Sequence, residues 1–275
     1  MFSSLLLSLR EGIEAALIIG IIIGALNKLH QEKLKPAVWR GVAIALVLSI
    51  IFGLGLNYIG MEFSGQFEEV FEGIAMLSAA ALLTWMILWM QRRGSEIQRE
   101  LENKTARATL DRNGSALLIL AFLAVCREGV ELTLFLMAAR MASDSISVLV
   151  GAAMGLGGAI LLGWMIFATT HRLNLRQFFQ TTNILLLFFA AGLVALGVHE
   201  LNEVGWVPAV MENIWDFNHI ISDQSEVGLI LKALFGYNGN PSLTEVLAYL
   251  SYFSVLATIL IKYQRRQMKT KAVVV

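Results

Sequence analysis

Two short segments of the 275-residue chain concentrate residues able to do chemistry: Arg10-Glu11-Gly12-Ile13-Glu14 and Arg127-Glu128-Gly129-Val130-Glu131, two copies of REGxE set in apolar sequence. On a helix the two glutamates of each copy stand at i and i+3 and share a face, and the arginine, four residues before the second glutamate, can pair with it. The glycine leaves a gap where a neighbouring helix or an ion can approach the backbone. Two buried Arg/Glu bridges would account for these residues structurally. Yet four acids, Glu11, Glu14, Glu128 and Glu131, stand against two bases, Arg10 and Arg127, so complete pairing leaves a formal charge of −2. Protons or a metal cation must balance it, and a site that alternates between the two is a transport site. Carboxylate oxygens suit hard or borderline ions such as Fe(III), Fe(II), Mn(II), Mg(II) or Ca(II), whereas thiolate or imidazole clusters point to Cu(I) or Zn(II). The single cysteine, Cys126, reads as a small packing residue, and neither motif segment lies in a helix that contains histidine. The four glutamates are therefore the candidate metal ligands.

The elements that must position them are membrane helices. The chain is 57% hydrophobic and 15% charged, with a mean hydropathy of +0.68, whereas a soluble domain is roughly 45–50% apolar and about 25% charged. Stretches long enough to span the hydrocarbon run from Ser4 to Leu26, Val38 to Ile59, Val70 to Met90, Ala116 to Ala138, Ser147 to Thr170, Thr181 to Val198 and Leu243 to Ile261, which predicts seven transmembrane helices. The first reads as a retained helix rather than a signal peptide, because no basic segment precedes it and Arg10, Glu11 and Glu14 interrupt its apolar run. A charge near the bilayer centre costs about 2.5–3.5 kcal/mol, so six of them in two helices point to function.

Loop charges orient the helices, since Lys and Arg accumulate on the cytoplasmic side. After the first, third, fifth and seventh stretches lie 17 of the 21 basic residues, which places the N-terminus outside and the C-terminus in the cytoplasm. The opposite loops hold only Arg140 and Lys232 among the bases and 12 acids, a field that attracts cations. The orientation rule alone also produces acidic outer loops. Lys plus Arg equals Asp plus Glu at 21 each, and nothing points to nucleic acid. Within the outer acids, Glu68, Glu69 and Glu72 share one helical face and are candidates for metal capture, or for a solvated helix start favoured by the dipole. His199 with Glu203 at i+4 offers half a metal site, or an interfacial histidine. Met76, Met86 and Met90 with Trp85 and Trp89 read as packing and interface anchors, and Gly151 with Gly155 as close helix packing.

Three membrane passages separate the two motifs, so the second copy enters from the opposite side. The expected architecture is an all-α polytopic membrane protein, residues 1–275, built as a 3+3 inverted repeat, 1–90 and 116–198, with an extracytoplasmic acidic loop over 199–242 and a seventh, additional helix over 243–263. Transporters of this kind place substrate near the midplane, where the repeats meet.

These residues resemble the oxidase-dependent iron permease family, which comprises fungal high-affinity and bacterial EfeU types. Besides the two REGxE copies, the resemblance rests on Phe71-Glu72-Gly73-Ile74, Leu83-Thr84-Trp85-Met86, Trp89-Met90, Leu234-Phe235-Gly236-Tyr237 and Asn240-Pro241-Ser242, and covers essentially the whole chain. It is nearest the bacterial type. The resemblance implies iron import through Arg10, Glu11, Glu14, Arg127, Glu128 and Glu131, in the cytoplasmic (inner) membrane, with iron as transported substrate and no permanently bound cofactor. The fungal outer motif D-A-S-E is matched at its ends by Asp223-Gln224-Ser225-Glu226, with Gln in the second position, so Asp223 and Glu226 are further candidates for outer capture. The implied partners are an extracytoplasmic cupredoxin-like protein and a haem peroxidase, or a multicopper oxidase.

Uptake of another heavy divalent cation, such as lead, fits the same carboxylates. A non-transporting membrane subunit of a metal-handling complex, with the motif charges serving assembly, is the reading from a different class. An enzyme is not expected, because the sequence contains no nucleotide loop, nucleophile elbow or zinc motif.

Overall fold

The computed structural model describes residues 1–62, 65–110, 114–168, 175–223 and 225–273, with side chains at 59–62, 91–98, 166–168, 175–176, 226, 233 and 263–273 outside the description. The described residues form helices and connecting turns and contain no β-strand. In chain order the helices are α1 (Phe2–Lys28), α2 (Lys35–Glu62), α3 (Gln66–Ala108), α4 (Ser115–Met141), α5 (Ser145–Ala168), α6 (Leu175–Glu203), α7 (Glu226–Phe235) and α8 (Leu243–Val273), with a 3₁₀ turn at Glu32–Leu34. Five segments are long and apolar enough to cross a membrane: Glu32–Tyr58, Gln66–Met90, Ser145–Met165, Gln177–Glu203 and Leu243–Lys262. The motif helices α1 and α4 have 27 residues each. They differ from those five in carrying three charged motif residues apiece.

Small residues set the helix pairs. Gly151 lies against Ser4, Gly155 against Ser8, Gly12 against Ala159 and Gly163 against Ala16, so α1 and α5 run parallel in close contact. Gly41 lies against Ala121, Gly129 against Ser49 and Gly53 against Thr133, so α2 and α4 do the same. The third extensive pair is α3 with α6, where Gly73 and Gly197 face one another, and α8 packs mainly on α6. Two clusters hold most of the buried apolar residues among those described. One gathers Leu7, Met76, Leu83, Met86, Phe135 and Phe189 with their neighbours; the other gathers Ile22, Leu26, Val38, Leu101, Leu117 and Ala121. Helix α1 passes from the first cluster to the second and α4 from the second to the first, so the two are antiparallel. Both motifs lie in the interval between the clusters.

Two expectations about loops are corrected. The basic segment between the third and fourth apolar stretches is not all loop: α3 continues past Met90 to Ala108, giving a 43-residue helix about 65 Å long. Its last turns are rich in strong helix formers and carry a Glu100–Lys104 pair at 2.8 Å. Leu101 and Thr105 are buried there, Leu101 in the second cluster. The segment 199–242, expected as an extracytoplasmic loop, is not all loop either. Helix α6 runs on to Glu203, and α7 is closed by two local signals: the Ser225 hydroxyl accepts from the Gly228 N–H at 3.0 Å, and Gly236 takes the left-handed conformation at φ +66°. A Cβ on Gly192 would lie 2.6 Å from the Gly236 Cα, and Phe188 meets Phe235 edge to face at 5.4 Å, so α7 is docked on α6. The seventh expected helix is α8 and is longer than expected, to Val273. Side chains of Glu62, Arg92, Arg93, Glu96, Arg112, Arg172, Arg176 and the basic residues after Lys262 lie outside the described residues.

Candidate metal centre

Glycine decides how close the motif helices come to their neighbours. A Cβ on Gly12 would stand 2.5 Å from the Ala159 Cβ, and one on Gly129 would stand 2.7 Å from the Ser49 Cβ, so neither position admits a side chain without displacing α5 or α2. The gap read from the sequence is filled by a helix. With the glycine face packed outward, the glutamates of both motifs and Arg10 turn to the interior, while Arg127 stays 41% exposed. Arg10 is 0% exposed, Glu11 1%, Glu128 6% and Glu131 7%, and among the described residues Glu245 is the one other buried charged side chain.

Within the interior the charges pair along each helix as their spacing predicts. Arg10 Nη2 lies 3.1 Å from Glu14 Oε1, and Arg127 Nε donates to Glu131 Oε1 at 2.8 Å. Arg10 Nη1 also donates to Glu11 Oε1 at 3.1 Å. Between helices, oxygens of Glu11, Glu128 and Glu131 all lie within 4.8 Å of one another, a spacing that one cation with metal–oxygen distances of roughly 2.0–2.6 Å can bridge. Glu14 stands beside the trio, held by Arg10. Glu11 and Glu128 are within hydrogen-bond reach of each other, an approach that two bare carboxylates tolerate only with a proton or cation between them. Glu11 Oε2, Glu128 Oε2 and Glu131 Oε2 are buried without a hydrogen-bond partner, whereas Glu14 Oε1 is the oxygen that Arg10 pairs with. A buried acceptor left unpaired is costly, and the three acids of the trio each leave one.

Sequence reasoning missed the residues of α3 that meet the arginines. Met86 Sδ and Met90 Sδ accept from Arg10 at 3.6 and 3.4 Å, and the Arg127 guanidinium lies 4.9 Å from the centre of the Trp89 ring. The i, i+3, i+4 spacing of Met86, Trp89 and Met90 was visible, but what they face is a non-local fact. Cys126 is a free thiol at the edge of the second apolar cluster, in keeping with a packing role.

The candidates expected for outer metal capture sort differently. His199 at the end of α6 is held on both ring nitrogens by carboxylates: Nε2 lies 3.3 Å from Glu203 and Nδ1 3.0 Å from Glu245 at the start of α8. Glu245, which the sequence reading did not single out, also accepts from the Ser242 N–H at 3.0 Å and from Asn238 at 2.8 Å. His199 and Glu203 thus belong to a tie between α6 and α8. Glu68 and Glu69 stand in the first turn of α3, and Glu69 and Glu72 share an electrostatic neighbourhood with Glu200 of α6, so acids read as two separate groups converge. One oxygen of Asp223 is taken by the Gly239 N–H at 2.9 Å, which braces the segment before α8. Glu226 opens α7, and its side chain lies outside the described residues, as does Gln224.

Compared with known families, residues 1–273 match the iron permease FTR1 family. The chain belongs to that family. Among similar proteins of the family are the ferrous iron permeases EfeU of Escherichia coli strain UTI89 and of Shigella sonnei, each 35% identical over 254 residues that cover 92% of both chains. EfeU of Yersinia pestis is 35% identical over 254 residues, covering 92% of this chain and 90% of the relative. A relative in E. coli K12 at the same identity bears the name putative inactive ferrous iron permease EfeU. No solved structure matches the chain. Family and apolar helices together make this a multi-pass membrane protein.

Proposed function

We propose that this chain is an iron permease that imports Fe(II) across the cytoplasmic membrane through one site shared by the two REGxE motifs. The observation that carries the reading is that Glu11, Glu128 and Glu131, whose oxygens converge, each keep a buried oxygen free of protein hydrogen bonds, in a motif cluster whose formal charge is −2. A divalent ion neutralises that cluster, and the free oxygens replace the water it sheds. A trivalent ion would leave +1 and require hydroxide or another acid. The name ferrous iron permease carried by the relatives agrees with the divalent choice.

In this reading α1 and α4 cross the membrane with the five apolar helices, the N-terminus lies outside and the repeats 1–90 and 116–198 are inverted. The packing supports it, because a repeat that maps α1, α2 and α3 onto α4, α5 and α6 converts the α1–α5 pair into the α4–α2 pair, and both place a motif glycine on a small partner. The acids at the outer ends of α3 and α6 raise the local iron concentration. Partners of the cupredoxin-like, haem-peroxidase or multicopper-oxidase type would deliver iron to that face.

Uptake of labelled iron in each oxidation state by purified protein in liposomes tests the proposal. Fe(II) accumulation that Glu131→Gln abolishes is the expected result. Normal uptake by Glu131→Gln at equal protein content overturns it.

A further inference from the structure

Building on the shared-site reading, we infer that Met86, Trp89 and Met90 of α3 are positioning residues that hold the two motif arginines against α3 and so keep the free carboxylate oxygens available to the cation. The three side chains share one helical face. Two of them meet Arg10 and one meets Arg127, so a helix with no carboxylate in the site touches both of its cations.

Arg10 is fully buried and carries five N–H donors. Glu11 Oε1 takes one, Glu14 lies in ion-pair range, and the two thioethers take two more; Nε has no partner. A thioether sulfur is a weak, neutral acceptor. It occupies N–H groups without adding charge to the cluster. An aliphatic side chain of the same size would leave those N–H groups unpaired, and they would turn to the nearest vacant acceptors, the free oxygens of the glutamates. The guanidinium would then compete with the ion. On the other motif the Trp89 ring serves the same end by a cation–π contact, leaving Nε to bind Glu131 Oε1 while Glu131 Oε2 stays free. Trp85 stacks on Trp89 at 6.4 Å and fixes the ring.

The test is anaerobic uptake of labelled Fe(II) by proteoliposomes holding wild type, E131Q, M86L/M90L, M90L, M90Q, W89L and M76L at matched protein content. Leucine preserves volume, so M86L/M90L should raise the half-saturation concentration about fivefold while the maximal rate stays within roughly twofold. W89L should shift it in the same direction, and carries the test if the double variant does not reach the membrane. M90Q, which restores an acceptor, should lie closer to wild type than M90L does. M76L is the control, a buried methionine of the same helix packed among apolar residues, and should leave half-saturation unchanged. Wild-type half-saturation in M86L/M90L and W89L, or a fall in maximal rate alone, overturns the inference and marks these residues as packing. If wild type transports and E131Q does not, that outcome leaves the permease reading standing. If wild type takes up no Fe(II), the permease reading falls and this inference with it.

Discussion

Glu11, Glu128 and Glu131 each keep one carboxylate oxygen buried and free, an arrangement that structural salt bridges do not need, while Glu14 Oε1 is paired with Arg10. In a shared site, removing either member empties the same function. Glu14→Gln and Glu131→Gln should therefore each reduce iron uptake by more than about tenfold, and the double variant should be no worse than either single, since effects of residues in contact do not add. Measured rates that multiply would separate the motifs into two sites. Arg10→Lys should also impair uptake, because an ammonium cannot hold Glu11, Glu14 and two sulfurs at once as the guanidinium fork does. The pairing along each helix was legible in the sequence, where the i, i+4 separation of Arg10 and Glu14 fixes it. The convergence of Glu11 with Glu128 and Glu131 was not, because it depends on how α1 and α4 cross, and no local pattern carries that.

At the scale of elements, the motif glycines matter as much as the charges. Gly129→Ala places a methyl against Ser49, so α4 must move off α2 or Ser49 must yield; the expected loss is about 1–3 kcal/mol of stability, with iron uptake falling alongside. Ser49→Gly in the same chain should recover most of both, and thermal unfolding in detergent with uptake in liposomes reads the two effects. No recovery would mean that Gly129 acts through something other than helix separation. His199→Ala removes the tie between α6 and α8 and leaves the buried Glu245 carboxylate short of a partner, which should destabilise the fold by about 1–3 kcal/mol. Half-saturation for iron should hardly change, and a large rise would restore His199 to the metal path. Helix boundaries were less legible than helix identity. Hydropathy marks where a chain is apolar, so it stopped α3 at Met90 and passed over α7, although Ser225 before and Gly236 after that helix are ordinary start and stop signals.

For the whole molecule, the opposed courses of α1 and α4 between two apolar clusters follow from an odd number of passages between the motifs, which the apolar stretches already implied. What neither stretch lengths nor helix packing decides is which face is outside. The charge rule supplies that answer, and several of its basic residues sit on the extension of α3 and at the end of α8, both of which emerge on one side if the N-terminus is outside. The same arrangement puts α7 and the Trp206 to Pro241 segment on the other side with the acids. On a Cys126→Ala background, Glu212→Cys and Ala106→Cys both place a thiol at an exposed position, one in the acidic segment and one near the end of α3. An impermeant thiol reagent added to intact spheroplasts should label Glu212→Cys fully and Ala106→Cys only after the membrane is opened. The reverse pattern would invert the molecule, and the converging acids Glu69, Glu72 and Glu200 would then face the cytoplasm, where they could not capture iron for import. Equal labelling of both from outside would mean that α3 does not separate the two faces. Because the two cysteines lie on opposite sides of the motif interval along the chain's own fold, the experiment fixes the orientation that a near-symmetric cluster of four carboxylates does not carry in itself.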